Sequence, residues 1–142
     1  PGLSCRLYEG EWRKLPDFAV LTPARTLVVP TVTLTPAMPR ERFGLVCNGF
    51  LSVPGDGLTT FSLRAEDGAE LLVDGESVIS NQPTDYLSRT GVAALKPGLH
   101  AIEVRYYQRS FVAGLGLKVD APGEPLEPVP AERLFHVAEK AP

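Results

Sequence analysis

Three Asp-Gly pairs that bound two short alternating segments constrain the fold of this chain more than any other feature. The pairs occupy positions 56–57, 67–68 and 74–75. In residues 59–65 and 71–73, positions with mostly apolar side chains alternate with positions with mostly polar ones. A period of two is typical of strands with one buried face. Because Gly adopts positive φ without a Cβ clash and Asp tolerates it, each pair predicts a tight reversal.

The same alternation predicts further strands, and proline predicts the breaks between them. Four prolines within residues 19–42 predict an irregular excursion, with Thr31–Leu34 as an edge strand at most. Residues 108–114 are expected to close a hairpin, and residues 131–135 a helical turn. The remaining predicted strands are residues 3–8, 43–53, 77–79, 91–95, 101–107 and 115–119. The predicted core consists of Phe61, Leu63, Leu71, Val73, Ile102, Val104, Leu115 and Leu117.

Length and composition favour one all-β domain. The 142 residues with 44% hydrophobic content fit a single domain over residues 1–142, with a core over about residues 3–120 and a proline-rich tail over residues 121–142. Fourteen prolines and thirteen glycines separate the short segments, which favours an all-β antiparallel sandwich or barrel over helices. The chain begins with Pro and carries no signal peptide, so we expect a piece cut from a longer polypeptide or a processed product.

Charge and hydropathy argue against two kinds of partner. The net charge is −3 and the pI is near 5.4, and the clustered Lys and Arg that phosphate binding relies on are lacking. The longest apolar runs have the length of a strand, well short of the roughly 20 residues that a bilayer-spanning helix needs. We therefore expect neither nucleic-acid binding nor a membrane span.

The two cysteines lie on the apolar face of their predicted strands. Cys5 alternates with leucines in the first strand, and Cys47 shares the parity of Phe43 and Leu45. Both thiols are therefore expected to face the core. A disulfide requires the two strands to be neighbours with Cα atoms about 4.4–6.8 Å apart, and the sequence leaves a disulfide and two buried thiols open.

A series of short motifs follows in order over roughly residues 3–134. They are Tyr8-Glu-Gly-Glu-Trp12, Leu15-Pro-Asp-Phe18, Phe50-Leu-Ser-Val-Pro-Gly-Asp-Gly57, Phe61-Ser-Leu-Arg-Ala-Glu-Asp-Gly68, Leu72-Val-Asp-Gly75, Leu95-Lys-Pro-Gly-Leu-His100 and Val104-Arg-Tyr106. Together these motifs resemble the protective-antigen-14 domain family. The first two resemble the copies attached to bacterial glycoside hydrolases, especially hexosaminidase-type enzymes.

The resemblance implies a non-catalytic β-sandwich or barrel found in secreted or surface glycosidases, adhesins and toxins. It also implies an extracellular, cell-surface or periplasmic location. The implied partners are carbohydrate or an adjacent glycosidase catalytic domain. Accessory and binding roles need the same scaffold, so we expect an accessory domain of a glycoside hydrolase, with a carbohydrate-binding module as the alternative.

In the sugar-binding adhesins of this family, two adjacent aspartates joined by a cis peptide, an Asn and nearby carbonyls hold a calcium ion. The matching positions here are Glu66, Asp67 and Gln108, with carbonyls near Ser110 and Val112. Two of them depart from the adhesin pattern, because Glu replaces Asp and Gln replaces Asn, each longer by one methylene. A calcium-assisted sugar site is therefore the alternative, and an Asp-Gly turn with an exposed Glu is the expectation.

Aromatic side chains near these positions are candidates for stacking on a sugar ring. Tyr107 and Phe111 lie nearest the matching positions, and Tyr86 lies in a polar loop. For Trp12 and Phe18 we expect anchoring of their loop instead.

Catalysis by this chain is not expected. Paired catalytic carboxylates come from separate strands and face each other about 5–9.5 Å apart, unlike the adjacent Glu66 and Asp67. His100 and His136 are too few and too far apart for a metal motif, and His100 is interpreted as structural. No nucleophile elbow, phosphate loop or Cys-x-x-Cys is present.

Overall fold

Two antiparallel β-sheets pack face to face in the computed structural model, which describes residues 1–81, 88–109, 113–121 and 123–137. The eleven strands in these ranges are β1 (Leu3–Glu9), β2 (Arg25–Val29), β3 (Phe43–Val53), β4 (Gly57–Glu66), β5 (Gly68–Val73), β6 (Glu76–Asn81), β7 (Ser88–Leu95), β8 (Gly98–Gln108), β9 (Gly114–Ala121), β10 (Glu124–Pro128) and β11 (Leu134–Phe135). The described residues contain no α-helix, and the predicted all-β antiparallel sandwich is confirmed.

The larger sheet has seven strands and the smaller sheet has four. The order in the larger sheet is β2-β1-β3-β8-β5-β6, with β11 pairing with β3, and the order in the smaller sheet is β10-β9-β4-β7. The longest pairing joins β3 to β8 in register from Phe43 opposite Gln108 to Val53 opposite Gly98. Strands β3 and β8 therefore form the centre of the larger sheet.

The core lies between the two sheets and contains nearly all of the predicted side chains. Seven of the eight are buried, including Phe61 and Leu63 of β4 and Val104 of β8, each with no exposed surface. Leu115 is the exception: it is only partly buried and packs against the edge of the core. Leu115 lies near the start of β9, where the two sheets no longer cover it fully.

Only one of the three Asp-Gly pairs, each predicted to be a tight reversal, closes a hairpin. The pair at 74–75 does so, joining β5 to β6 with φ of 51° at Asp74 and 83° at Gly75. The pairs at 56–57 and 67–68 instead carry the chain from one sheet to the other. Strands β8 and β9, which residues 108–114 were expected to join as a hairpin, also lie in different sheets, so that prediction is wrong. A turn residue permits the reversal, but it does not determine which strand becomes the partner.

The proline-rich excursion contains a strand that the sequence pattern did not predict. Strand β2 pairs with β1 in register from Arg25 opposite Leu7 to Val29 opposite Leu3. Its side chains are mostly exposed, so its sequence lacks a clear alternation. The segment predicted as an edge strand contributes only an isolated bridge between Thr33 and Gly116.

A disulfide joins Cys5 of β1 to Cys47 of β3. The two residues lie directly opposite each other in the antiparallel register, and both are at most 2% exposed. Of the two alternatives that the sequence left open, the structure therefore has the cross-link. The described residues contain no free cysteine.

A small aromatic cluster covers one end of the outer face of the larger sheet. The ring of Phe18 lies 5.0 Å from that of Tyr8 and 6.2 Å from that of Trp12. Phe18 begins a 3-10 turn, Phe18–Val20, in which the backbone amide of Ala19 donates to Asp17 Oδ1 at 3.1 Å. The predicted anchoring of this loop by Trp12 and Phe18 is confirmed. A second 3-10 turn, Ala131–Arg133, lies within the segment predicted as a helical turn. Among the described residues, no helix is long and apolar enough to cross a membrane.

Candidate functional site

The three residues that match the adhesin pattern come together where strands of the two sheets end. Glu66 ends β4, Asp67 follows it through a cis peptide bond, and Gln108 ends β8. The backbone amide of Asp67 donates to the carbonyl of Tyr107 at 3.0 Å, which places the connection beside the end of β8. We call Glu66, Asp67 and Gln108 the rim site.

The side-chain amide of Gln108 links the other two members of the rim site. Gln108 has no exposed surface. We assign its amide nitrogen, and not its oxygen, to the side that faces two acceptors, because the nitrogen then donates to the Glu66 carbonyl at 2.9 Å and to Asp67 Oδ2 at 3.2 Å. The amide therefore acts as a donor at this position.

Backbone and side-chain donors also satisfy the neighbouring oxygens. The amide of Arg109 donates to Asp67 Oδ2 at 2.5 Å, and the hydroxyl of Tyr106 donates to the Glu66 carbonyl at 2.5 Å. Each of these two oxygens thus accepts two hydrogen bonds from the protein. Hydrogen bonds to a charged carboxylate are about twice as strong as those between neutral groups, so this arrangement fixes the connection between the sheets.

With the Gln108 amide nitrogen turned toward the shared centre, the rim site presents fewer oxygens there than a calcium ion takes. Calcium takes 6–8 oxygen ligands, typically carboxylates and carbonyls. Here the Gln108 amide presents nitrogen to the shared centre, and Asp67 Oδ2 already accepts two N–H groups. Among the described residues, no three His, Cys, Asp or Glu side chains are grouped so that they could share a metal ion. Calcium ligation by Glu66, Asp67 and Gln108 stays a prediction.

The two aromatic residues predicted to stack on sugar have different outcomes. Tyr107 is 1% exposed, and its hydroxyl donates to the carbonyl of Arg13 at 3.1 Å. Burial, followed by the charges of Asp67 and Glu66, raises the pKa of Tyr107. A ring this buried has no open face for a sugar, so the structure does not support stacking by Tyr107. Phe111 lies outside the described residues, as do Ser110, Val112 and Tyr86.

An ion-pair bridge next to the rim site was not predicted from the sequence. Glu11 lies 3.2 Å from Arg109 Nε and 3.8 Å from Arg42 Nε. The backbone amide of Arg42 also donates to the carbonyl of Arg109 at 3.2 Å. These residues come from three separate segments, and no local motif marks their proximity. All three side chains are at least 40% exposed, so they are available to a ligand or a neighbouring domain.

The predicted structural role of His100 is confirmed at the opposite end of β8. Its Nδ1 lies 2.7 Å from Asp74 Oδ2, and its Nε2 lies 2.7 Å from the carbonyl of Lys96. These contacts tie the β5–β6 hairpin to the turn before β8. The Lys96 carbonyl, followed by the Asp74 carboxylate, raises the pKa of His100, because both acceptors favour the protonated ring.

Comparisons with known proteins identify relatives of this fold. The sequence model of the PA14 domain family, described as "PA14 domain", matches residues 1–132. No curated protein matches the chain.

Solved structures with low sequence identity to this chain share its fold. A PA14 sugar-binding domain from an RTX adhesin has a TM-score of 0.80 at 17% identity, over 96% of this chain and 98% of that one. An anti-sigma factor domain-containing protein has a TM-score of 0.82 at 20% identity over 99% of this chain, which spans 49% of that protein. The β-glucosidase from Kluyveromyces marxianus in complex with glucose has a TM-score of 0.66 at 19% identity over 84% of this chain, which spans 15% of the enzyme.

Proposed function

Because this chain belongs to the PA14 domain family, we propose that it is a non-catalytic accessory domain of a secreted or surface glycoside hydrolase. In this role it helps to shape or deliver the carbohydrate substrate. Two similar structures support the proposal: one is a sugar-binding domain of an adhesin, and the other is part of a β-glucosidase bound to glucose. Domain and enzyme would belong to one polypeptide, as in the β-glucosidase.

The internal hydrogen bonding of the rim site is the observation that favours an accessory role over calcium-assisted sugar binding. Asp67 Oδ2 and the Glu66 carbonyl each accept two hydrogen bonds from the protein itself. An oxygen occupied in this way must lose those bonds before it binds an ion or a sugar hydroxyl. The rim site therefore serves to hold the connection between the sheets, and the exposed Glu11, Arg42 and Arg109 are left to face a neighbour.

The disulfide supports the proposed extracellular, cell-surface or periplasmic location. Disulfides form and persist in oxidising compartments and are rare where thiols are kept reduced. The Cys5–Cys47 bond is a cross-strand link inside the core, so it is part of the folded structure.

We expect no glycosidase activity from this domain by itself. The chain of 142 residues alone should not hydrolyse aryl glycosides of common sugars. Adjacent residues such as Glu66 and Asp67 do not form the facing carboxylate pair that glycoside hydrolysis requires. Activity that persists through purification and disappears in Glu66→Gln would overturn this part of the proposal.

The accessory role is tested in the complete polypeptide that its gene encodes. We expect that polypeptide to hydrolyse glycosides, and we expect deletion of residues 1–142 to lower kcat/KM for oligosaccharides more than for small aryl glycosides. The isolated catalytic domain must keep its aryl glycosidase activity for the comparison to count. A gene product without glycosidase activity, or a deletion with equal effects on both substrates, would refute the accessory role.

A further inference from the structure

The outer face of the larger sheet carries a cleft that the rim site does not share. Its larger part has a volume of about 540 Å³ and its smaller part about 190 Å³. Both parts are lined by Glu103 and Arg105 of β8, so they meet at these two residues. We call the combined feature the outer cleft. Its floor is formed mainly by β3 and β8, the central strands of the sheet.

Two segments from distant parts of the sequence line the ends of the outer cleft. Residues 16–19 line the smaller part, and Val137, after β11, lines the larger part. Two glycines of β3 make the close approach of these segments possible. A Cβ at Gly44 would lie 2.8 Å from Phe18 Cε1, and a Cβ at Gly49 would lie 2.2 Å from the Phe135 carbonyl oxygen. Larger residues at these positions would push both segments away from the sheet.

A row of polar side chains begins on the floor at Glu103 and Arg105 and continues beside the cleft to Glu70 and Ser77. Arg105 Nε donates to Glu103 Oε2 at 2.8 Å, and Arg105 Nη1 lies 3.5 Å from Glu70 Oε1. The hydroxyl of Ser77 donates to the other oxygen of Glu70 at 2.8 Å. The row thus links β8, β5 and β6 while its members stay partly exposed, with 41% of the Arg105 side chain accessible. Asn48 of β3 lies directly opposite Glu103 in the sheet.

The charges in the outer cleft balance, and this limits what it can bind. Among the lining residues, Arg6 and Arg105 oppose Asp17 and Glu103, so the cleft has no net charge to attract an anionic or a cationic polymer. Carboxylate acceptors beside guanidinium and amide donors suit hydroxyl groups, which donate and accept hydrogen bonds at the same time.

Apolar surface adjoins the polar row within the same cleft. Phe50 of β3 and Leu72 of β5 are half-buried at the floor, and Val137 is 74% exposed at the side. Ligand sites typically combine apolar walls with a few placed polar groups. A sugar ring has an apolar face and a polar edge, so it matches both parts of this surface.

We propose that the outer cleft binds a neutral oligosaccharide, with Glu103, Arg105 and Asn48 contacting its hydroxyls. The proposal rests on the carbohydrate-related function proposed above and adds a contact surface away from the rim site. The cleft extends along β3 from Phe50 to Val46, with the 16–19 segment beyond, a span of roughly 15–20 Å at about 3.3 Å per strand residue. This length suits several linked sugars better than one.

The test uses the full chain of 142 residues and three probes: cellotetraose, chitotetraose and N-acetyllactosamine. Binding is measured by titration followed through backbone amide NMR signals. We expect at least one probe to shift the signals of Asn48 and Glu103, and we expect Glu103→Ala to weaken its affinity at least tenfold. Lys118→Ala, on the exposed face of the smaller sheet, is the matched control and should leave the affinity unchanged.

Three results would overturn the cleft proposal. The first is the absence of binding of all three probes at millimolar concentration. The second is binding whose shifts map to Glu66, Asp67 and Gln108 and which survives Glu103→Ala. The third is protection of the cleft from hydrogen exchange by another domain of the complete polypeptide. None of them removes the accessory role, which fails separately if the complete gene product lacks glycosidase activity.

Discussion

The rim site and the outer cleft contain similar kinds of residue but use them differently. At the rim site, the Gln108 amide is fully buried, and it donates to acceptors within the protein. In the outer cleft, Glu103 and Arg105 also bond to each other, but both side chains remain partly exposed to solvent. Polar residues of the same kind are thus buried within the protein at the rim site and partly open to solvent in the outer cleft.

The largest effect is expected from the cross-link beneath the outer cleft. Replacing both Cys5 and Cys47 by Ala should destabilise the fold by about 2–5 kcal/mol, because the unfolded chain is no longer constrained. The free energy of unfolding in urea measures this change. The hydrogen bonds of the rim site do not depend on this cross-link, so they should persist in the folded variant. A loss below about 1 kcal/mol would show that β1 and β3 are held by packing alone.

Removing the acceptor at the rim site should give the next largest effect. Asp67→Ala leaves the Gln108 amide and the Arg109 N–H without their acceptor, which should cost about 1.5–3 kcal/mol. Asp56→Ala is the matched control, because Asp56 belongs to an exposed Asp-Gly pair and should change stability little. Equal losses in the two variants would contradict the interpretation of the rim site as an internally bonded connection.

The corresponding change in the outer cleft should have a smaller effect on stability. Glu103→Ala removes one partner of the partly exposed Arg105 and should cost under about 1 kcal/mol. The measurement is again urea unfolding, alongside the oligosaccharide titration. If Glu103→Ala destabilises the domain as much as Asp67→Ala does, the polar row is structural and the contrast between the two regions disappears.

A pH-dependent effect is expected from His100, at the end of β8 away from the rim site. The Lys96 carbonyl and the Asp74 carboxylate raise its pKa above the ordinary value of 6.5. The stabilisation is fully present below about pH 6.5 and is lost as the pH rises through the raised folded-state pKa. The melting temperature of His100→Gln should therefore fall below that of the original chain by more at about pH 5.5 than at about pH 9. A difference that grows toward high pH would refute this sign.

Calcium should have the smallest effect of all. Excess calcium should leave the melting temperature unchanged, because the oxygens of the rim site already accept hydrogen bonds. A site that bound the ion would stabilise the fold by about 2.7 kcal/mol at 100 times the dissociation constant. A calorimetric titration with stoichiometric calcium binding, lost in Asp67→Ala, would restore the calcium-assisted sugar site and remove the contrast with the outer cleft.

Sequence patterns identify the strands of this domain better than they identify the partners of each strand. The alternation in residues 59–65 reflects one buried face, and the structure has that face in the core. The pairing of β4 with β7 and β9 depends on packing between sheets, and the Asp-Gly pair after Glu66 has the same local chemistry whether it closes a hairpin or joins two sheets. Strand β2 was missed for a related reason, since an exposed edge strand has little alternation.

The sequence likewise predicted the residues of the candidate site better than it predicted their contacts. The motif resemblance was sufficient to select Glu66, Asp67 and Gln108, and the structure brings them together. It gave no indication that the Gln108 amide would present nitrogen, because this depends on which oxygens the fold places around it. The bridge from Glu11 to Arg109 had no sequence signal, since 98 positions separate the two residues.

The pairing of β3 with β8 should make this domain fold slowly. All eleven residues of β3 pair with β8, although β4 to β7 lie between them in the sequence. The loop between the two strands must close before their contacts stabilise it, so topologies dominated by such pairs fold in milliseconds to seconds. Until then, two long central strands have unpaired edges that other chains can join. Production of this domain in quantity should therefore depend on low concentrations of unfolded chain, whatever its final stability.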